Sequence, residues 1–311
     1  MRLRSAHCSW RTWVSMANTV VLAPDYLLPE NIGPAVGYRE GQLPDTEILE
    51  QVGFFVPAYI EHPNAVWMAK MPGLEVVQLP TVGFDAVLPH LPAEVTLCNA
   101  AGVHEQSTAE LTVGLVIARW RGLDRAARDM ASGTWDHRRG RSLQQARVVI
   151  VGTGGVGTAI SNCLAVFGCD ITRVGRTPRE GVAGPEDLEY LLPEADVVVL
   201  AVPLSEETRG MVDDAFLSRL PDGALVVNVA RGPVAVTEDL LTHAGRLEFA
   251  LDVTDPEPLP AEHPLWSAPG VVISPHIGGD TDAFPRLARG LIAEQVQRWR
   301  NGAALRNVVV G

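Results

Sequence analysis

At 311 residues, 47% hydrophobic and 20% charged, the chain can bury a sizeable core and is long enough for two domains rather than one. Its formal net charge of -12, without a long run of Lys or Arg, argues against a surface built to neutralise nucleic-acid phosphates or an anionic membrane, so an anionic ligand must meet a local basic site. The four cysteines, Cys8, Cys98, Cys163 and Cys169, form no CxxC pair; this gives neither a metal site nor a disulfide framework and fits a reducing cytoplasm.

Residues 1–15 carry Arg2, Arg4 and Arg11, several serines and no acid, superficially like a transit peptide. Because Met16, Ala17 and Asn18 lead directly into an apolar run, they read instead as an extension from an upstream start. Short apolar runs at 20–23, 53–56, 76–79 and 95–98 then predict the strands of a smaller α/β domain. Residues 105–130 follow as a long helical stretch with Leu111, Leu115, Ile117 and Leu123, ended near Gly133 and suited to a domain junction or a subunit interface.

From residue 147 the alternation sharpens. Apolar runs at 147–151, 171–174, 196–202, 225–230, 249–253 and 271–274, separated by crossover-length segments, predict a parallel sheet covered on both faces. These runs are far too short to span a bilayer. A last helix over 282–300 can carry the chain back to the first domain.

Gly152-Thr153-Gly154-Gly155-Val156-Gly157 fits G-x-G-x-x-G, directly after the 147–151 strand and at the start of a helical stretch, the context in which that pattern cradles a pyrophosphate. Gly152 permits a tight turn, Gly154 a close backbone approach to the ligand, and Gly157 close packing of helix on strand. A site for NAD commonly has a carboxylate at the end of the second strand to accept from the ribose 2′-hydroxyl. Here Gly175-Arg176-Thr177-Pro178-Arg179 stands there instead, so two guanidiniums can meet a 2′-phosphate, which favours NADP(H) while leaving NAD(H) possible. Asp170 sits at the opposite end of that strand and supplies no such carboxylate.

Three later strand ends each carry a chemically distinct group: Arg231 after Asn228, Glu257 between two prolines, and His276 in Ser274-Pro275-His276. Ligands of open parallel sheets bind outside the carboxyl ends of the strands. Reduction of a 2-keto acid needs a cation for the carboxylate and carbonyl, and a proton donor for the developing alkoxide. Arg231 suits the first task and His276 the second, with Glu257 to orient the ring. Singly, each has an ordinary explanation as a surface arginine, a turn glutamate or a packed histidine; together they define a candidate catalytic group.

On these segments, and on residues 201–208, 228–232, 251–259 and 274–279, the chain resembles the D-isomer-specific 2-hydroxyacid dehydrogenase family over nearly all its length from Met16. The resemblance implies an α/β protein of two doubly wound parallel-sheet domains. A Rossmann-type nucleotide domain over 104–283 would be inserted into a smaller flavodoxin-like substrate domain made of 16–103 and 284–311. It implies that Arg231, Glu257 and His276 bind and polarise the substrate, tune the histidine and exchange the proton. Further implied are cofactor contacts at Val202, Pro203, Thr208, Ala230, Asp252 and Gly278, and substrate-carboxylate binding by the backbone amides of Val82 and Gly83 in 81–85. His104 either faces the cleft or is an ordinary loop histidine, pocket size depends on packing around His104 and Trp135, and a homodimer is expected through the 105–130 helix. The Gly175 to Arg179 segment looks like the NADP-preferring glyoxylate/hydroxypyruvate reductase branch. Where the family commonly has Val-Asp, this chain has Ala235-Val236, which alters a local helix contact and not the chemistry. A formate dehydrogenase would have Gln at position 257. A dinucleotide-sensing corepressor on the same scaffold is the alternative of a different class, separated from an enzyme by a turnover assay.

Overall fold

A computed structural model describes residues 19–59 and 64–311; the proposed extension over 1–15 lies outside these residues. The chain forms two compact units, one of residues up to Val103 with Asp282–Gly311 and one of His104–Thr281, so the second is inserted within the first.

The sheet of the first unit contains β1 (Val20–Pro24), β2 (Ala35–Tyr38), β3 (Val52–Phe55), β4 (Val76–Gln78), β5 (Thr96–Cys98) and β12 (Val308–Val310), in the order β12-β5-β4-β3-β1-β2. All neighbours are parallel except β12, which runs antiparallel to β5. Apart from β12, this is the 2-1-3-4-5 order of a flavodoxin-like sheet. The helix Phe284–Arg300 buries Phe284, Ala288, Ile292, Val296 and Trp299, spaced to make one face. That face packs in a core with Val21, Ala23, Phe54 and Val56. Two of these strands were not among the sequence expectations. β2 has only four residues and contains Gly37, where a Cβ would fall 2.0 Å from Asp25 Oδ1, and β12 is a three-residue edge. Neither is long enough to show a period.

In the inserted unit, β6 (Arg147–Val151), β7 (Asp170–Val174), β8 (Val197–Leu200), β9 (Leu225–Asn228), β10 (Glu248–Leu251) and β11 (Val271–Ile273) are all parallel, in the order β11-β10-β9-β8-β6-β7. The order reverses at β6, and beyond β7 a further strand is reduced to a single parallel bridge, Val174 to Ala183. These are the six strands the apolar runs predict. β8 is buried at every residue, since helices cover both faces of a central parallel strand, and each such valine or leucine contributes about 1.5–3 kcal/mol.

The helical stretch predicted over 105–130 is two helices, Glu105–Arg121 and Leu123–Ser132, because Gly122 adopts φ 65° and ends the first in the left-handed region that glycine enters at little cost. Of the expected apolar positions, Leu115 is buried and Leu111 and Ile117 pack against the same core; the polar Thr108 and Thr112 are buried as well, whereas Leu123 is exposed. The helix Thr237–His243 starts at Val236 without a side-chain cap, the local consequence of Ala235-Val236 noted in the sequence. Among the described residues, no helix is long and apolar enough to cross a membrane and no cluster of His, Cys, Asp or Glu could hold a metal ion.

Candidate active site

The glycine turn is built as its sequence requires. Gly152 has φ 118°, and a Cβ there would lie 2.2 Å from Ala201 O at the end of β8. At Gly157 a Cβ would fall 2.0 Å from Gly152 O, so the helix Gly155–Ala165 can approach β6 only without one. A Cβ at Gly154, the N-cap, would meet nothing within 4 Å, leaving the backbone open where amide donors and the positive end of the helix face outward. A pyrophosphate fits such a cradle.

Beyond β7 the basic segment closes on the same turn. Arg179 Nη2 donates to Thr153 Oγ1 at 3.1 Å, and a Cβ on Gly175 would lie 3.0 Å from that oxygen. The Arg176 guanidinium is largely exposed and meets Glu207 at 3.4 Å. Glu207 belongs to the loop after β8, where Thr208 Oγ1 donates to Pro203 O at 2.7 Å and accepts from Ser205 N at 2.8 Å. Val202 is half-buried and Pro203 exposed beside it, and Ala230 is buried. Thr177 serves this segment through its carbonyl, which accepts from Arg179 Nη1.

At the ends of β9, β10 and β11 the three groups expected from the sequence do come together. His276 Nδ1 lies 2.5 Å from Glu257 Oε1. Burial pushes the Glu257 carboxyl up, but the hydrogen bond and charge of His276, the Thr254 N–H and the charge of Arg231 outweigh it and hold the group below its ordinary value. An ionised carboxylate only accepts, so Nδ1 carries the proton of this bond and Nε2 is the atom at which a proton can be exchanged. Glu257 Oε2 also accepts from Thr254 N at 3.3 Å, and the residue sits between two cis X-Pro bonds, Asp255-Pro256 and Glu257-Pro258.

The backbone around this group is braced by Asn228, which the sequence expectations leave without a role, and by Asp252, for which they include a cofactor contact. Buried Asn228 accepts from Ala230 N and donates to Arg231 O, each at 3.0 Å, fixing the turn that presents Arg231. A Cβ on Gly232 would lie 1.9 Å from Thr254 O, so the arginine turn and the glutamate loop pack backbone to backbone. His276 has φ 53°, a conformation most side chains avoid, and its N–H donates to Asp252 O at 2.8 Å. Asp252, almost wholly buried, accepts through Oδ1 from Ser274 Oγ at 2.7 Å and Ile277 N at 3.0 Å, and through Oδ2 from Gly278 N at 2.9 Å. It therefore ties down the loop that carries His276. His104 packs under the same loop, with Nδ1 3.0 Å from Gly279 O. A polar residue closing a buried strand was the available signal for Asn228.

In the other unit, the loop over 81–85 turns its carbonyls inward. Asn99 Nδ2 donates to Val82 O at 2.9 Å and Thr81 Oγ1 to Gly83 O at 2.8 Å. The amides of Val82 and Gly83 meet no acceptor among the described residues.

A parallel sheet that reverses order beside a glycine turn defines a dinucleotide-binding protein, and the comparisons name the class further. The sequence profile of the D-isomer specific 2-hydroxyacid dehydrogenase, NAD binding domain, matches residues 113–278. A glyoxylate reductase of Thermofilum pendens is 33% identical over 252 residues, covering 74% of each chain. A mouse glyoxylate reductase/hydroxypyruvate reductase is 36% identical over 228 residues, 67% of this chain and 68% of its own. The crystal structure of a D-isomer specific 2-hydroxyacid dehydrogenase from Xanthobacter autotrophicus Py2 in complex with NADPH and MES superposes with a TM-score of 0.79 at 28% identity, over 94% of this chain and 98% of that one. The chain belongs to the D-isomer specific 2-hydroxyacid dehydrogenase family and is an NAD(P)-dependent enzyme of that class.

Proposed function

We propose that the enzyme reduces a small 2-keto acid of the glyoxylate or hydroxypyruvate type to its D-2-hydroxy acid, with NADPH preferred over NADH. The observation that carries the reading is the His276–Glu257 pair under the charge of Arg231, a proton donor and a cation at one place on the strand ends. The dinucleotide, when bound, supplies and accepts hydride. Gly152, Thr153, Gly154, Gly155, Val156 and Gly157 would hold its pyrophosphate, and Gly175, Arg176, Thr177 and Arg179 the ribose 2′-phosphate. Asp252 and Gly278 would border the nicotinamide, while Val202, Pro203, Thr208 and Ala230 shape the remaining wall.

In this reading Arg231 draws electron density toward the substrate carbonyl oxygen and pairs with the carboxylate. The amides of Val82 and Gly83, which meet no acceptor among the described residues, are proposed to bind a carboxylate. His276 Nε2 delivers the proton to the alkoxide in reduction and removes it in oxidation, while Glu257 fixes the tautomer and stabilises the imidazolium. The names of the Thermofilum and mouse relatives support the substrate class. The basic segment after β7, and NADPH in the Xanthobacter relative, support the cofactor preference.

The test is a panel of keto acids followed at the nicotinamide absorbance with both cofactors, on wild type and His276→Ala. Glyoxylate and hydroxypyruvate should lead the panel, and the variant should lose about 10²–10⁴-fold in kcat while binding NADPH within a few-fold of wild type. Undiminished turnover by the variant, or no turnover of any keto acid by wild type, would refute it.

A further inference from the structure

Two glutamines stand wholly buried in the first unit, Gln78 at the end of β4 and Gln295 on the helix Phe284–Arg300. Asn99, also buried, directly follows β5. A buried amide is costly wherever one of its polar groups goes unpaired, and a leucine or methionine would fill much the same volume without that risk. Three amides in such a place call for a reason other than packing.

Their hydrogen bonds join them into one relay. Gln295 Nε2 donates to Gln78 Oε1 and to Arg306 O, each at 2.9 Å, and its Oε1 accepts from Arg306 N at 2.9 Å. Gln78 Nε2 uses both its N–H groups, on Leu79 O at 2.9 Å and on Asn99 O at 3.0 Å. Asn99 N donates to Asn307 O at 3.0 Å, and its Oδ1 accepts from Ala101 N at 3.2 Å. Turning over either glutamine amide would set donor against donor and acceptor against acceptor, so the network has a single arrangement.

The relay ends on the loop over 81–85. A trans peptide sets its C=O and N–H on opposite sides, so whatever holds the carbonyl of one residue aims the N–H of the next. Ala100 N donates to Thr81 O at 2.8 Å and thereby aims the Val82 N–H. Asn99 Nδ2 donates to Val82 O at 2.9 Å and thereby aims the Gly83 N–H. Neither N–H meets an acceptor among the described residues. The same kind of side chain closes β9 at Asn228, but both of its bonds fall within its own turn, whereas Asn99 reaches back 17 positions to a loop with two open donors.

We infer that Asn99 is the positioning residue for the Gly83 amide as a carboxylate donor, and that Gln78 and Gln295 fix Asn99 in turn. The inference rests on the proposed reading of Val82 and Gly83 as carboxylate-binding amides. Through Gln295 it gives the helix Phe284–Arg300 a part in substrate affinity.

Steady-state reduction of glyoxylate at saturating NADPH reads the effect as a split between KM and kcat. In Asn99→Ala the KM for glyoxylate should rise about ten- to a hundredfold, the worth of one hydrogen bond to a charged group, with kcat changed far less. Asn99→Asp keeps the size and an oxygen for Ala101 N but has no donor for Val82 O, so its KM should follow that of the alanine variant. The NADPH dissociation constant, followed by nicotinamide fluorescence, should stay at the wild-type value in both, because the glycine turn belongs to the other unit. Gln78→Met and Gln295→Met combined in one chain remove both partners of the central bond at matched volume, so this chain is expected to fold even where Asn99→Ala does not, and to show a KM raised several-fold. Gly83→Pro, which lacks the N–H itself, is the control on the loop. A raised KM in Gly83→Pro beside a wild-type KM in Asn99→Asp and in the double methionine variant would overturn the role of Asn99 and leave the reading of the loop standing, whereas an unaltered KM in Gly83→Pro would take down both. A fall in kcat at constant KM in Asn99→Asp would make the asparagine a support of the fold alone and would overturn the inference as well.

Discussion

Replacing Asp252 separates two roles for that residue. Its carboxylate receives three hydrogen bonds from the loop that carries His276, and the residue is only 3% exposed. In Asp252→Ala the amides of Ile277 and Gly278 lose their acceptor, at about 1–3 kcal/mol each, or about 2–6 kcal/mol together. Removing a buried carboxylate also removes its desolvation penalty of several kcal/mol, which draws the net loss toward about 3 kcal/mol. For a unit of this size that is a fall in Tm of about 6–12 °C. Asp252→Asn keeps an oxygen for Ser274 and Ile277 but turns an NH₂ toward the Gly278 N–H, so it should fall between wild type and alanine. Thermal unfolding by circular dichroism, with kcat and the NADPH dissociation constant measured on the same samples, should show stability and kcat falling together. If Asp252→Ala unfolds within 1 °C of wild type while NADPH binding alone weakens, the carboxylate serves the cofactor and not the loop, and the reasoning fails.

Two other outcomes follow from the site. Arg176→Ala with Arg179→Ala should raise KM for NADPH far more than for NADH, because only the former presents a 2′-phosphate to the guanidiniums; equal effects measured by steady-state kinetics would defeat the cofactor argument. Because the folded state holds Glu257 below its ordinary value, its pair with His276 stabilises the protein above the unfolded glutamate range and ceases to do so as pH falls through the depressed value. The Tm difference between wild type and Glu257→Gln should therefore close on acidification and persist at neutral pH, and a pH-independent difference would contradict the linkage.

Much of this protein is legible in one dimension. A central parallel strand is buried on both faces, so the 197–200 run is continuously apolar and needs no partner to be recognised. The glycine turn is equally local: Gly152 and Gly157 are demanded by backbone atoms at most a few residues or one neighbouring strand away. Arg231, Glu257 and His276 are legible as candidates because each follows a strand, and a parallel sheet delivers the ends of its strands to one edge.

Side-chain partners and edges were decided elsewhere. β2 and β12 acquire their identity from β1 and β5, distant in the chain, and carry no period of their own. The break at Gly122 was hidden because helix propensity runs through it, and only the left-handed turn reveals it. Sequence alone could put an aspartate at position 252 but not say what it holds, since its acceptors are filled from the end of β11, which adjoins β10 only once the sheet is ordered. Arginines scattered from 119 to 141 likewise form no run in the sequence and become one basic cavity only when the two helices and the 139–141 segment fold onto the amino end of β10. Backbone pattern is fixed by nearest neighbours along the chain, whereas a charge finds its partner in space, and that depends on the order in which the strands pair.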